Sequence, residues 1–104
     1  MAREVRYEIL RTADTRERHY HRTEYGHVIA YSVQLEVFIE GEWRPVIRYD
    51  CAHGYAHVDR YNIYGETSKE QIFLEFAEAL TAAEEDLEQN WKIYRERFLA
   101  GRFP

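Results

Sequence analysis

An α+β fold, an antiparallel meander of three to five strands packed against one long C-terminal helix, is what this sequence predicts, and three patterns predict it. From His27 to Glu40 the odd positions Ile29, Tyr31, Val33, Leu35, Val37 and Ile39 are apolar or aromatic, with Ser32, Gln34, Glu36 and Glu40 among the even ones. Alternation this long marks a half-buried antiparallel strand with one wet face. Farther on, Phe73, Ala77, Leu80, Leu87, Trp91, Tyr94 and Phe98 recur at spacings of three, four or seven, which draws one stripe down a helix. Glu40-Gly41-Glu42 and the segment Asn62–Glu66 with Gly65 supply the turns between extended runs. At 104 residues, 1–104 reads as a single domain with one modest core.

In chain order, Val5 to Arg11 has strand character. Residues 12–26 are polar and without a period; they read as a mobile arm or loop, part of which, around His19 to Arg22, can pair as an edge strand. The strand from His27 turns at Gly41, which is free to take positive φ. Trp43 to Asp50 returns, with Pro45 favouring a place near the strand end or on an edge. Gly54 breaks the pattern, Tyr55 to Tyr61 resumes it, and the sheet is expected within 5–62. Thr67-Ser68-Lys69-Glu70 fits a capping box, so the helix is expected over 67–99, with Gly101 as its stop. More than 30 residues of helix, at about 1.5 Å each, span roughly 45 Å and outrun one small sheet. Either the helix kinks near Gln89-Asn90 or its far end packs on another subunit, a homodimer through the C-terminal helix.

The net charge of −5 argues against general, backbone-driven nucleic-acid binding. The charge is uneven: residues 1–65 hold nine Lys/Arg and ten Asp/Glu, whereas residues 66–104 hold five and nine. A locally basic face is therefore open to the first part, where Arg11, Arg16, Arg18 and Arg22 lie close together. With Tyr20 and Tyr25, the segment 16–22 can contact RNA through charge and stacking, or be a solvated loop. A single cysteine excludes an internal disulfide and a four-cysteine zinc framework. No apolar leader and no long apolar run are present, so the expectation is a cytoplasmic protein without a membrane span.

Arg48-Tyr49-Asp50-Cys51-Ala52-His53-Gly54-Tyr55-Ala56-His57-Val58-Asp59 concentrates the chemistry. On a straight strand His53 and His57 would stand roughly 13 Å apart, at 3.3 Å per residue. They converge only if Ala52-His53-Gly54 forms a turn or bulge, which Gly54 permits. His57 and Asp59, two apart, face the same way, and a carboxylate so placed orients an imidazole for proton transfer. The functional reading takes His53, His57, Asp59 and Asp50 as catalytic candidates, with Arg48 and Tyr49 binding substrate, in phosphodiester cleavage for instance. The structural reading has Asp50 capping the turn, Arg48 pairing with a carboxylate across the sheet, and the histidines filling a polar edge. His-x3-His-x-Asp offers three metal-ligand types, but i and i+4 meet only on a helix and this segment is extended. No metal or cofactor is expected. Cys51 reads as a small buried hydrophobe rather than a nucleophile.

Val33-Gln34-Leu35-Glu36, Gly41-Glu42-Trp43, Arg48-Tyr49-Asp50-Cys51-Ala52-His53-Gly54 with His57, and Asp86-Leu87-Glu88-Gln89-Asn90-Trp91 resemble the pattern of a small bacterial and archaeal family of unknown function. The resemblance covers most of residues 27–99. Cys51 departs from the Thr of that pattern, which sets cysteine chemistry further aside. More distantly, the Tyr-Asp and His-rich segment is similar to TumE-type toxins of toxin–antitoxin pairs. That similarity implies a toxin-like role, with RNA or a cognate antitoxin-like protein as partner. Three readings result: first a toxin-like domain that binds or cleaves RNA at a polar His/Asp site, then a non-enzymatic dimerisation or interaction module that uses its long helix, and third a metal-dependent or small-molecule-binding protein.

Overall fold

The structure, a computed structural model, describes residues 1–104. Six strands, β1 (Ala2–Thr12), β2 (Thr15–Glu24), β3 (His27–Ile39), β4 (Glu42–Asp50), β5 (His57–Tyr61) and β6 (Thr67–Gln71), precede one helix, α1 (Phe76–Leu99). Every strand pairs antiparallel with its sequence neighbour, giving the order β1-β2-β3-β4-β5-β6. The α+β meander with a C-terminal helix stands as expected, but its strands number six rather than three to five.

The alternation of β3 sorts the two faces. Tyr31, Val33, Leu35 and Val37, with Ile47 and Tyr49 of β4 and Val58 of β5, form an apolar face. Ala79, Leu80, Ala83, Leu87 and Phe98 of α1 close over it, with the helix lying across β3 and β4. One phenol pins the helix to the sheet: Tyr49 of β4 donates to the Asp86 carboxylate, which also accepts from Tyr94 and Asn90 of the helix itself at 2.8 and 2.9 Å. The other face of the sheet has no layer over it.

Three expectations are corrected. Residues 12–26 are no arm but the end of β1, a tight turn and all of β2, closed onto β3 by Tyr25 and Gly26, both at positive φ as a two-residue hairpin requires. The inward side of β2 is Thr15, Glu17 and His19, so no apolar period reports it. Thr67-Ser68-Lys69-Glu70 lies in β6 and caps nothing. Asn62 folds the preceding turn instead, accepting the Tyr64 and Glu66 N–H groups at 3.1 Å each, and β5 then pairs with the chain beyond it. The helix starts nine residues later, and at 24 residues spans about 36 Å, inside the 42 Å long axis of the molecule. It runs unbroken through Gln89-Asn90, so the excess length that called for a kink or a second subunit is not there. Pro45 sits opposite Glu36 at a bulge, short of the part of β4 that β5 pairs with, where its missing N–H is tolerated.

Candidate functional site on the helix-free face

Antiparallel register assembles this face. Residues paired across neighbouring strands point to the same side. One row therefore crosses all six strands as Arg6, Tyr20, Ser32, Asp50, His57 and Gln71. The row beside it is Glu8, Arg18, Gln34, Arg48, Asp59 and Lys69. None of these residues is apolar except through the tyrosine ring, which is why the face carries no helix.

The β4–β5 link gives the rows their chemistry. The Gly54 N–H donates to the Cys51 carbonyl at 3.1 Å, Gly54 takes φ +86°, and the Asp50 carboxylate accepts the Ala52 N–H at 3.3 Å. The turn so made doubles the chain back. It brings the His53 and His57 rings to 5.8 Å between centroids at 27° between planes, where a straight strand would hold them far apart. His57 is 2% exposed, whereas His53 stands in solvent.

Around His57 the contacts are short. Its Nε2 lies 2.6 Å from Asp50 Oδ1 and 3.6 Å from Asp59 Oδ2, and its Nδ1 faces the Tyr55 carbonyl at 3.4 Å. Arg48 Nε donates to Asp50 Oδ2 at 2.6 Å, and Lys69 Nζ stands 3.8 Å from Asp59 Oδ1. The result is a charged chain, Arg48–Asp50–His57–Asp59–Lys69, whose middle is buried and whose cations reach solvent. Asp59 Oδ1 is buried and accepts no hydrogen bond. An unpartnered buried carboxylate oxygen is costly, and its neighbours Lys69 and His57 offset that cost only by proximity.

From Asp50 toward β1 the face hollows into an open groove of about 790 Å³, with Arg6, Arg18, Tyr20, Ser32, Gln34 and Arg48 along it. Arg6 lies over the Tyr20 ring, 4.2 Å from its centroid. Arg18 is 58% exposed and only loosely held, 3.6 Å from Glu8 and 3.9 Å from Glu36. Arg48 spends Nε on Asp50 and keeps the rest of its guanidinium free. Asp50, Cys51 and Ala52 line the end of the groove that leads into the His53 turn.

Of the residues expected at a site, His53, His57, Asp59, Asp50 and Arg48 are brought together. Tyr49 is not: it faces the helix, and burial with Asp86 beside it pushes its phenol well above the ordinary range. Cys51 is buried, and burial pushes its thiol up, aided by Asp50 and opposed by a backbone hydrogen bond with Tyr31, so a thiolate is disfavoured. No three His, Cys, Asp or Glu side chains are disposed to hold a metal ion. The structural reading of the turn finds one of its contacts, because Asp50 caps it; Arg48 pairs with Asp50 of its own strand rather than with a carboxylate across the sheet. Arg6, Arg18, Tyr20, Gln34 and Lys69 were missed as parts of one face. The one available signal was parity: each sits at the polar positions of its strand, but β2 and β6 have to be recognised as strands first.

Fold and site together define a six-stranded α+β protein with a polar, uncovered sheet face centred on a buried histidine. The chain belongs to the family described as Domain of unknown function (DUF7718), whose model matches residues 1–104. No curated protein and no solved structure matches it. No helix is long and apolar enough to cross a membrane.

Proposed function

We propose that the helix-free face binds single-stranded RNA and that His53 carries the proton in its cleavage, a toxin-like activity. The observation that carries this reading is an exposed imidazole stacked on a buried one, in the turn that follows Ala52, the last residue to line a groove with arginines along it. The two cross-sheet rows offer a track of roughly 24 Å, five strand spacings of ~4.8 Å. Arg6, Arg18 and Arg48 have donors to spare for phosphates, and Tyr20 presents an aromatic ring beside them. Imidazole is the side chain suited to taking and returning a proton near neutral pH. In the step proposed, His53 takes the proton of a ribose 2′-hydroxyl as that oxygen attacks the adjacent phosphorus. The charge gathering on the phosphoryl oxygens falls to Arg48, and the departing 5′-oxygen is protonated by water. His57 is too buried to touch RNA. It acts as a positioning residue, held by Asp50 and Asp59 and supporting the His53 ring.

The test is incubation of the wild-type protein with a labelled single-stranded RNA, following binding by anisotropy and cleavage on a gel. Binding that weakens as salt rises, with fragments ending in a 2′,3′-cyclic phosphate, is the expected result. Absence of both binding and cleavage between about pH 5 and 8 overturns it.

A second reading, the non-enzymatic module, is favoured by one feature elsewhere. Phe73 is 84% exposed in the β6–α1 link, beside a hollow lined by Tyr55, Ile72, Leu74 and Phe76. An antitoxin-like protein would then meet this patch rather than the outer side of α1, where Ile93 is the main exposed apolar residue. Phe73→Ser abolishing binding of a purified antitoxin-like partner, with RNA neither bound nor cut, would favour it.

A further inference from the structure

We infer that two copies of this chain associate edge to edge through β1, antiparallel and in full overlap, to make one continuous sheet. β1 is the longer of the two sheet edges, 11 residues against the five of β6. Natural edges are blunted by charged side chains, proline, bulges or shortness. Through Ile9, β1 is unbroken by proline or bulge, its only irregularity falling between Leu10 and Thr12, and its charges, Arg3, Glu4, Arg6 and Glu8, are of mixed sign, so they bar some registers and favour others. Tyr7 is 39% exposed and Leu10 68%. A two-fold axis normal to the sheet keeps both helices on one side, and residues facing across such an axis share a face.

Charge then selects the register. With Ala2 opposite Thr12, Arg6 of one copy faces Glu8 of the other, twice. Val5 faces Ile9, also twice, and Tyr7 meets its own copy on the axis. Sliding by one step in either direction breaks this. One direction opposes Arg6 to Arg6 and Glu4 to Glu8; the other opposes Glu8 to Glu8. The like pair left in full overlap is Arg3 with Arg11, and Arg11 is already bonded to Glu17 and Glu88 at 2.6 and 2.5 Å. β6 has no comparable solution, because its full overlap places Lys69 against Lys69. Arg6 and Glu8 also line the groove, so the association joins the two grooves across the axis. The inference does not depend on what the groove binds.

Sedimentation equilibrium of wild type, Arg6→Glu, Glu8→Arg and the double variant Arg6→Glu/Glu8→Arg tests it, with circular dichroism to show each is folded. Wild type is expected at twice the 12.6 kDa chain mass. Each single variant should raise the dissociation constant by at least about tenfold, since two like pairs replace two opposite ones. The double variant should regain the dimer, and so should an equimolar mixture of the two single variants, in which each edge meets the opposite sign. A wild-type monomer at all concentrations overturns the proposal, and so does a dimer indifferent to both single changes.

Discussion

Two buried histidines lie on opposite faces of one sheet, and their surroundings are nearly the same in chemistry. His19 touches Glu17, two residues before it, at 2.9 Å, and Arg11 holds that carboxylate at 2.6 Å. His57 touches Asp59, two residues after it, and Asp50, and Arg48 holds the latter at 2.6 Å. The difference is what lies on top. Over His19 the Tyr7 ring stacks at 4.5 Å and 9°, and Glu88 of α1 takes the far side of Arg11. Over His57 there is another histidine, exposed to solvent, in the turn next to the groove-lining Ala52. The helix-side cluster is a closed joint and the open-side cluster an accessible one. Residue types and spacing do not tell a joint from a site; the cover does.

The comparison can be broken first where it predicts most. Glu17→Ala strips Arg11 and His19 of the carboxylate they share inside the protein, and should cost about 3–5 kcal/mol in urea unfolding. A loss below about 1 kcal/mol would deny that the cluster is a joint. His57→Ala leaves Asp50 and Asp59 facing each other, yet both keep a cation beside them, so about 1–3 kcal/mol is expected. A loss equal to that of Glu17→Ala would make both clusters structural.

The pH dependence of stability sharpens the contrast with smaller effects. Burial raises the Glu17 carboxyl, but hydrogen bonds from His19 and Arg11 overrule it and hold the group below its ordinary 4.5. A depressed carboxyl contributes stability that is present above its unfolded value and lost as pH falls through the folded one. Stability should therefore decline as pH drops below 4.5, and Glu17→Gln should flatten that limb. Tyr49 is displaced upward from 10.0, chiefly by burial and then by Asp86, so its contribution is full below pH 10.0 and fades as pH rises beyond it. Tyr49→Phe should flatten the alkaline limb, as read from unfolding midpoints across that range. The smallest effect belongs to His53→Ala, which should shift stability by no more than about 0.5 kcal/mol because the side chain is exposed.

What the sequence made legible follows from where apolar periodicity exists. β3 and the heart of α1 could be read because their inward residues are hydrophobic. β2 could not, since its inward residues are polar: Thr15 accepts from Arg95 of α1, Glu17 from Arg11, and His19 bonds Glu17 beneath the Tyr7 ring. β6 was hidden for a different reason: all five of its residues are exposed, and Thr67 and Glu70 imitate a helix start. At the site, the His57–Asp59 alignment follows from strand parity alone. The approach of His53 needed the Gly54 turn, which the sequence permits without requiring. The burial of His57 was not legible, because β4 and β6 flank its strand, Asp50 arrives against its ring, and the His53 and Tyr55 rings of the turn pack beside it.

The measurement that tests the account most directly takes His53→Ala and wild type side by side, for RNA cleavage and for the unfolding midpoint. The account predicts a split: cleavage falls on the order of 10²–10⁴-fold while the midpoint stays where it was. Cleavage unchanged by the substitution, or a fall in cleavage matched by a fall in stability, would contradict it and leave His53 as part of the scaffold.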